Sequence, residues 1–132
     1  MPIVAVYAAL LTLLFVGLSI RTIRLRGKLN VALGDGGQPL LTRAARAQAN
    51  FAEYVPLALL LIYFLEALTT ADLWIHLLCS ILLLGRLVHA YGLSQVQENY
   101  RLRVFGMTCT FIVLISAALG LLIVAVVSAY HS

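Results

Sequence analysis

The chain is short of charge, and of acidic residues above all. Of its 132 residues, 11% are charged and only five are Asp or Glu, whereas 63% are hydrophobic. Soluble domains carry about 25% charged and about 45–50% apolar residues. A chain of this size buries only roughly two-thirds of its surface when it folds alone. Water could not hide so much apolar area, and lipid does not require it to be hidden. Cysteine is also scarce. Cys79 and Cys109 both lie in apolar runs, which excludes a disulfide framework and leaves them as packing residues. Metal-ligand spacing and a nucleophile elbow are both missing, so no metal is expected. Gly34-Asp35-Gly36-Gly37 does not match a phosphate-cradling loop. There are three prolines, and the one obvious cluster of breakers is Gly34–Pro39.

What is present is a set of long apolar runs. The first, Ile3–Ile20, has no preceding basic residue and no convincing small-residue cleavage pattern. It reads as a retained helix rather than a signal peptide. The clean apolar stretch of the second, Val55–Leu65, is too short to span about 30 Å of hydrocarbon. It must recruit the polar segment Arg43–Glu53, which places polar residues on a membrane helix. The third run is Leu73–Leu84, continued to Gly92, and the fourth is Val104–Val127. These runs predict one domain over residues 1–132. It is an all-α integral membrane four-helix bundle, with helices near 2–26, 39–68, 72–93 and 101–128.

All nine Lys and Arg fall between Arg21 and Arg46 or between Arg86 and Arg103. These are the first and third connections with their flanks, which share one side of a membrane. The positive-inside rule puts that side in the cytoplasm and both termini on the other. A net charge of +4 is therefore a matter of topology. No nucleic-acid partner is expected, because the basic residues merely flank spans and form no folded basic face.

The polar residues of the second helix carry the chemistry. Arg46, Asn50, Glu53 and Tyr54 stand at i, i+4, i+7 and i+8, on one helical face, and Arg43 extends it. A charge near the bilayer centre costs about 2.5–3.5 kcal/mol on insertion scales, so such residues face a bundle interior or a wet cavity. Arg46 and Glu53 read either as a pair that holds helices together or, with Asn50 and Tyr54, as a site for a small zwitterionic ligand. Pro56 should bend the helix and widen a cavity next to Glu53. A second polar set comprises Arg86, His89, Tyr91, Arg101 and Arg103. His89, three residues after Arg86, reads as an interfacial hydrogen-bonder or as a proton carrier. Arg101 and Arg103 open the fourth helix, where one of them can snorkel to lipid headgroups.

The segment Arg43-Ala-Ala-Arg46-Ala-Gln48-Ala-Asn50-Phe-Ala-Glu53-Tyr54-Val-Pro56 resembles the MAPEG family, the membrane-associated proteins of eicosanoid and glutathione metabolism. Three further segments are similar to its small bacterial inner-membrane members: Arg24-Leu-Arg26 leading to Gly34–Gly37, Gly85–Gly92, and Arg103-Val-Phe-Gly106-Met107. The resemblance covers essentially the whole chain. It implies a bacterial inner-membrane homotrimer that binds glutathione at the cytoplasmic end, between subunits. It implies Arg46, Asn50, Glu53 and Tyr54 as peptide-binding residues, with Arg26 and Gln48 reaching in from a neighbour. His89 and Tyr91 fall in the remaining substrate-binding segment, His89 where leukotriene synthases place a Tyr. The thiolate-stabilising Arg that opens helix four is Arg103 by the Arg-x-x-Gly-Met pattern, with Arg101 as the fallback.

The implied ligand suits these residues. Glutathione offers two carboxylates to guanidinium forks, one ammonium to Glu53 and a peptide backbone to Asn50. A free thiol has a pKa near 8.5, so a nearby Arg must lower it before much thiolate exists at neutral pH. The resulting expectation is a membrane glutathione transferase that conjugates bilayer-soluble electrophiles and also reduces lipid hydroperoxides. Its partners are glutathione, a hydrophobic electrophile or lipid, membrane lipids and copies of itself. Two alternatives stand beside it: a non-catalytic lipid- or partner-binding protein of the same fold, and a small multidrug exporter.

Overall fold

A computed structural model of the chain describes residues 2–69, 71–97 and 99–130. The described residues form four α-helices and no strand: α1 (Ile3–Leu29), α2 (Pro39–Leu68), α3 (Asp72–Ser94) and α4 (Tyr100–Tyr130). Each is long and apolar enough to cross a membrane. The backbone of a lipid-embedded segment must satisfy its own hydrogen bonds, and a helix does so internally. The polar segment Arg43–Glu53 is helical throughout, as the length argument requires. Leu13, Ile23, Leu122 and Ile123 stand exposed on the outside, where lipid rather than water is their solvent.

The second and third helices form the centre. α1 packs on α2 and α3, α4 packs on the same two, and among the described residues the backbones of α1 and α4 do not approach each other. Between them, Leu11, Val55, Ile62, Leu78, Leu82 and Val113 are almost wholly buried. The thiols of Cys79 and Cys109 are both free, and Cys79 belongs to this core.

Helices α3 and α4 approach closely because glycines line their contact. A Cβ on Gly106 would lie 2.5 Å from the Gly85 carbonyl oxygen and 2.5 Å from the His89 Cβ. A Cβ on Gly85 would lie 2.6 Å from that of Cys109, and one on Gly92 2.7 Å from that of Leu102. Small residues let membrane helices meet backbone to backbone, where dispersion can hold them. Gly106→Ala should therefore cost about 1–3 kcal/mol through overpacking. Thermal melting in detergent measures it, with Gly17→Ala as the control, since a Cβ there meets nothing within 4 Å. Equal melting of both variants would contradict the close approach.

Polar groups fasten the two ends of the bundle. On one side the Glu66 carboxylate accepts from the backbone N–H groups of Ile3 and Val4, capping the otherwise unpaired donors of α1. On the other, α1 ends with Asn30 in the left-handed region (φ 54°), and the Asn30 and Val31 N–H groups donate back to the last turn of α1. The following loop holds Asp35, which accepts from Gly37 N–H (3.0 Å) and the Thr42 hydroxyl (2.8 Å). These bonds hold its carboxyl below the ordinary 3.8, the Gly37 bond foremost. Their support for the loop is fully present above the ordinary value and is lost as pH falls through the lowered one. Pro39 then opens α2 at its first position, where its missing N–H costs nothing.

The cavity expected beside Glu53 at Pro56 is not there. Helix α2 runs through Pro56 unbroken. The space beside it is an apolar groove of about 320 Å³ between α1 and α2, lined by Leu11, Phe15, Phe51, Val55, Pro56 and Leu59 among others. Glu53 does not line it. The carbonyl that a proline frees lies one turn back, toward Ala52, and Ala52 faces this groove.

Candidate functional site

Helices α2, α3 and α4 enclose a polar cleft of about 420 Å³ at the basic end of the bundle. Helix α2 supplies Pro39, Thr42, Arg43, Arg46 and Asn50, a stripe at i, i+3, i+4, i+7 and i+11. Helix α3 adds His89 and Leu93, and α4 adds Arg103 and Met107, each pair one turn apart. Three guanidinium groups converge, and among the described residues no carboxylate lines the space. The chemistry of the lining selects an anion.

Arg86 forms the floor. It is wholly buried. Its Nη2 donates to Asn50 Oδ1 at 2.7 Å and lies 3.0 Å from His89 Nδ1. Its Nη1 donates to the Thr110 hydroxyl at 3.4 Å and lies 3.6 Å from the Met107 sulfur, while the guanidinium sits over the Phe51 ring. All these partners are neutral, and Nε is buried with none. A guanidinium only donates. His89 Nδ1 must therefore accept, which leaves the ring proton on Nε2, and Asn50 must accept through its oxygen, which leaves its amide hydrogens free to donate. Arg86 thus turns two ambivalent side chains into donors beside the cleft. A buried charge without a counter-charge is costly, and an anion in the adjoining cleft would offset it.

The structure brings Arg46, Asn50, His89 and Arg103 together and places the other sequence-predicted residues around them. Glu53 lies 3.8 Å from Arg46, both half-exposed. Because both belong to α2, the pair itself joins no two helices of the bundle. Tyr54 packs edge-on against Phe111 of α4. Arg26 is outside the cleft, donating to the Gly34 carbonyl of its own loop at 2.7 Å. Gln48 is half-buried and Tyr91 exposed, and neither lines the cleft. Arg103 lies over Tyr100, while Arg101, the fallback, is exposed and outside. His89 is buried and bonded to Arg86 within its own helix, not placed at a bare interface.

Sequence reading named Arg86 only as part of a polar set and passed over Thr42, Met107 and Thr110. The signal for Arg86 was available. It is a cation inside the apolar run Leu73–Gly92, and such a residue is retained in a membrane span mainly for function.

Comparison with known proteins agrees with this architecture. The MAPEG family model matches residues 4–123. Two Escherichia coli proteins, from strain K12 and from the O6:H1 strain CFT073, are each 39% identical over 117 residues. The match covers 88% of this chain and 87% of each relative, and both are described as inner membrane protein YecN. Four spanning helices and an inner-membrane relative make this an integral inner membrane protein. With a family match that leaves out little more than the two termini, the chain belongs to the MAPEG family.

Proposed function

We propose that the protein is a membrane glutathione transferase, working as a homotrimer, that conjugates glutathione to electrophiles dissolved in the bilayer. The observation that carries this is the cleft of Arg43, Arg46 and Arg103 around Asn50 and His89, with Arg86 beneath. Glutathione brings two carboxylates and, once ionised, a thiolate. The carboxylates match Arg43 and Arg46 by bidentate pairing. The Asn50 amide donates to the peptide, and Glu53 takes the ammonium at the cleft's edge. Arg26 and Gln48, both outside the cleft of their own subunit, complete the cleft of a neighbour in the trimer. Family membership leaves the exporter reading without support.

Arg103 is the catalytic residue of this reading. Its charge favours thiolate over thiol and stabilises the transition state as sulfur attacks. The S–C bond forms while the acceptor expels a leaving group with its electron pair, or takes a proton at the neighbouring carbon. With a lipid hydroperoxide, the thiolate attacks the outer peroxide oxygen and the O–O bond breaks. The alkoxide takes a proton from water, and a second glutathione thiolate displaces the sulfenic oxygen as hydroxide, which takes a proton to leave as water beside the disulfide. The peptide enters from water and the acceptor from lipid, which fits a cleft at the basic end of the spans.

Glu53→Gln tests the binding half. It keeps shape and removes the ammonium partner, and Glu53 is half-exposed, so affinity should fall about tenfold while melting changes little. Calorimetric titration beside thermal melting reads both. Unchanged affinity would remove Glu53 from the site. The proposed topology puts both termini on the non-cytoplasmic side, because every Lys and Arg lies in or beside the first and third connections. Reporter fusions at the C-terminus and at Gly36 should report opposite sides of the membrane, and agreement between them would overturn it.

A further inference from the structure

We propose that the protein carries a second anion site, for an anionic phospholipid, on the α1 side of the bundle. A crevice of about 480 Å³ is lined by Gly17, Ile20, Arg21, Arg24, Leu25, Lys28 and Leu40. It shares no residue with the cleft between α2, α3 and α4. Five of these positions on α1 (17, 20, 21, 24 and 28) stand at i, i+3, i+4, i+7 and i+11, a single stripe along the helix. The stripe begins with a small and an apolar residue and ends with three cations. Gly17 leaves open space, since a Cβ there would meet nothing within 4 Å.

The cations are more than loose basic residues at the end of a span. Arg21 is anchored, because its Nη2 donates to the Ser94 carbonyl at the end of α3 at 3.0 Å. Its Nη1 is buried with no hydrogen-bond partner, so the guanidinium is fixed at the crevice wall and acts there through its charge. Topology alone needs only positive charge in the connection, facing any direction. Here Arg26, from the same segment, turns to its own loop and donates to Gly34, while Arg21, Arg24 and Lys28 share one crevice. Among the described residues no carboxylate lines it, so an anion entering it would meet three cations and no repulsion from the lining.

The depth selects a lipid. From Arg21 to Lys28 the helix rises about 10 Å, enough to cross the headgroup layer of about 5–8 Å that lies on each side of the roughly 30 Å hydrocarbon core. Below that level Gly17 and Ile20 offer an apolar floor to an acyl chain. A phospholipid presents phosphate above and hydrocarbon below, in the same order as the stripe.

Native mass spectrometry of the detergent-released protein tests this, with phosphatidylglycerol, phosphatidylcholine and inorganic phosphate as probes. Phosphatidylglycerol should be retained at one per subunit, in preference to phosphatidylcholine, and inorganic phosphate should not displace it. The double variant Arg24→Gln/Lys28→Gln keeps the Arg21–Ser94 bond and should weaken retention about 25-fold, at roughly fivefold per charge. Arg101→Gln, outside the crevice, should change it less than about twofold. Equal retention of the two lipids would overturn the site, and so would equal losses in Arg101→Gln and the double variant. Displacement by inorganic phosphate would also overturn the proposal, by making the crevice a free-anion site.

Discussion

Replacing Arg103 by Leu should abolish thiolate absorbance at neutral pH and lower conjugating activity by about 10²-fold or more. The side chain lines the cleft from the first turn of α4, beside Met107. A thiol pKa lowered by two units corresponds to about 2.7 kcal/mol, and loss of that charge returns the thiol to its mostly neutral form. Affinity should largely survive, because Arg43, Arg46 and Asn50 remain. The control is Arg101→Leu, which lies two residues earlier, exposed and outside the cleft. It should leave both readouts nearly unchanged. If Arg101 gives the loss and Arg103 does not, the site assignment is wrong and the mechanism stands. Loss in neither removes the thiolate mechanism.

Replacing Arg86 by Met should weaken glutathione binding about 10- to 100-fold. Arg86 need not touch the ligand for this to occur. It holds Asn50 Oδ1 and His89 Nδ1, and without it both side chains are free to rotate and to offer an acceptor where the ligand needs a donor. Methionine roughly fills the aliphatic space and removes a buried charge that has only neutral partners, so stability should hold or rise. Calorimetry and thermal melting on the same sample distinguish the outcomes. Retained affinity would show that Arg86 does not position the site, and lower stability with unchanged affinity would make it a structural residue only. Arg86→Lys is the informative companion. It keeps the charge but cannot hold two acceptors in a planar fork, so it should rescue binding only partly.

The helices were legible from the sequence because lipid imposes a simple rule. A span needs about 20 residues of helix, and Val55–Leu65 was too short, which forced Arg43–Glu53 onto α2. The cleft was legible in part, since one face of α2 carries its stripe. Less visible was what the other helices bring to it. Whether Arg103 or Arg101 turns inward depends on how the third connection delivers the start of α4, and spacing alone does not set that. Arg86 was underrated because a single cation inside an apolar run adds no periodic signal of its own. Only packing showed it closed over by Phe51, Met107 and Thr110. The groove beside Pro56 shows the same limit, because proline identifies the freed carbonyl but not the neighbouring helix it faces. Arg26, Gln48 and Tyr91 mark another boundary, because they lie outside the cleft although the motif that names them runs through it.

The most direct test of the central claim is a glutathione titration of the wild-type protein in detergent or lipid discs, read by calorimetry and by thiolate absorbance together. The account predicts saturable binding at micromolar to millimolar glutathione, with thiolate appearing at neutral pH as the sites fill. Saturable binding without thiolate would contradict the transferase and leave a binding protein of the same fold. Absence of binding up to tens of millimolar glutathione would contradict the assignment of the arginine-lined cleft itself.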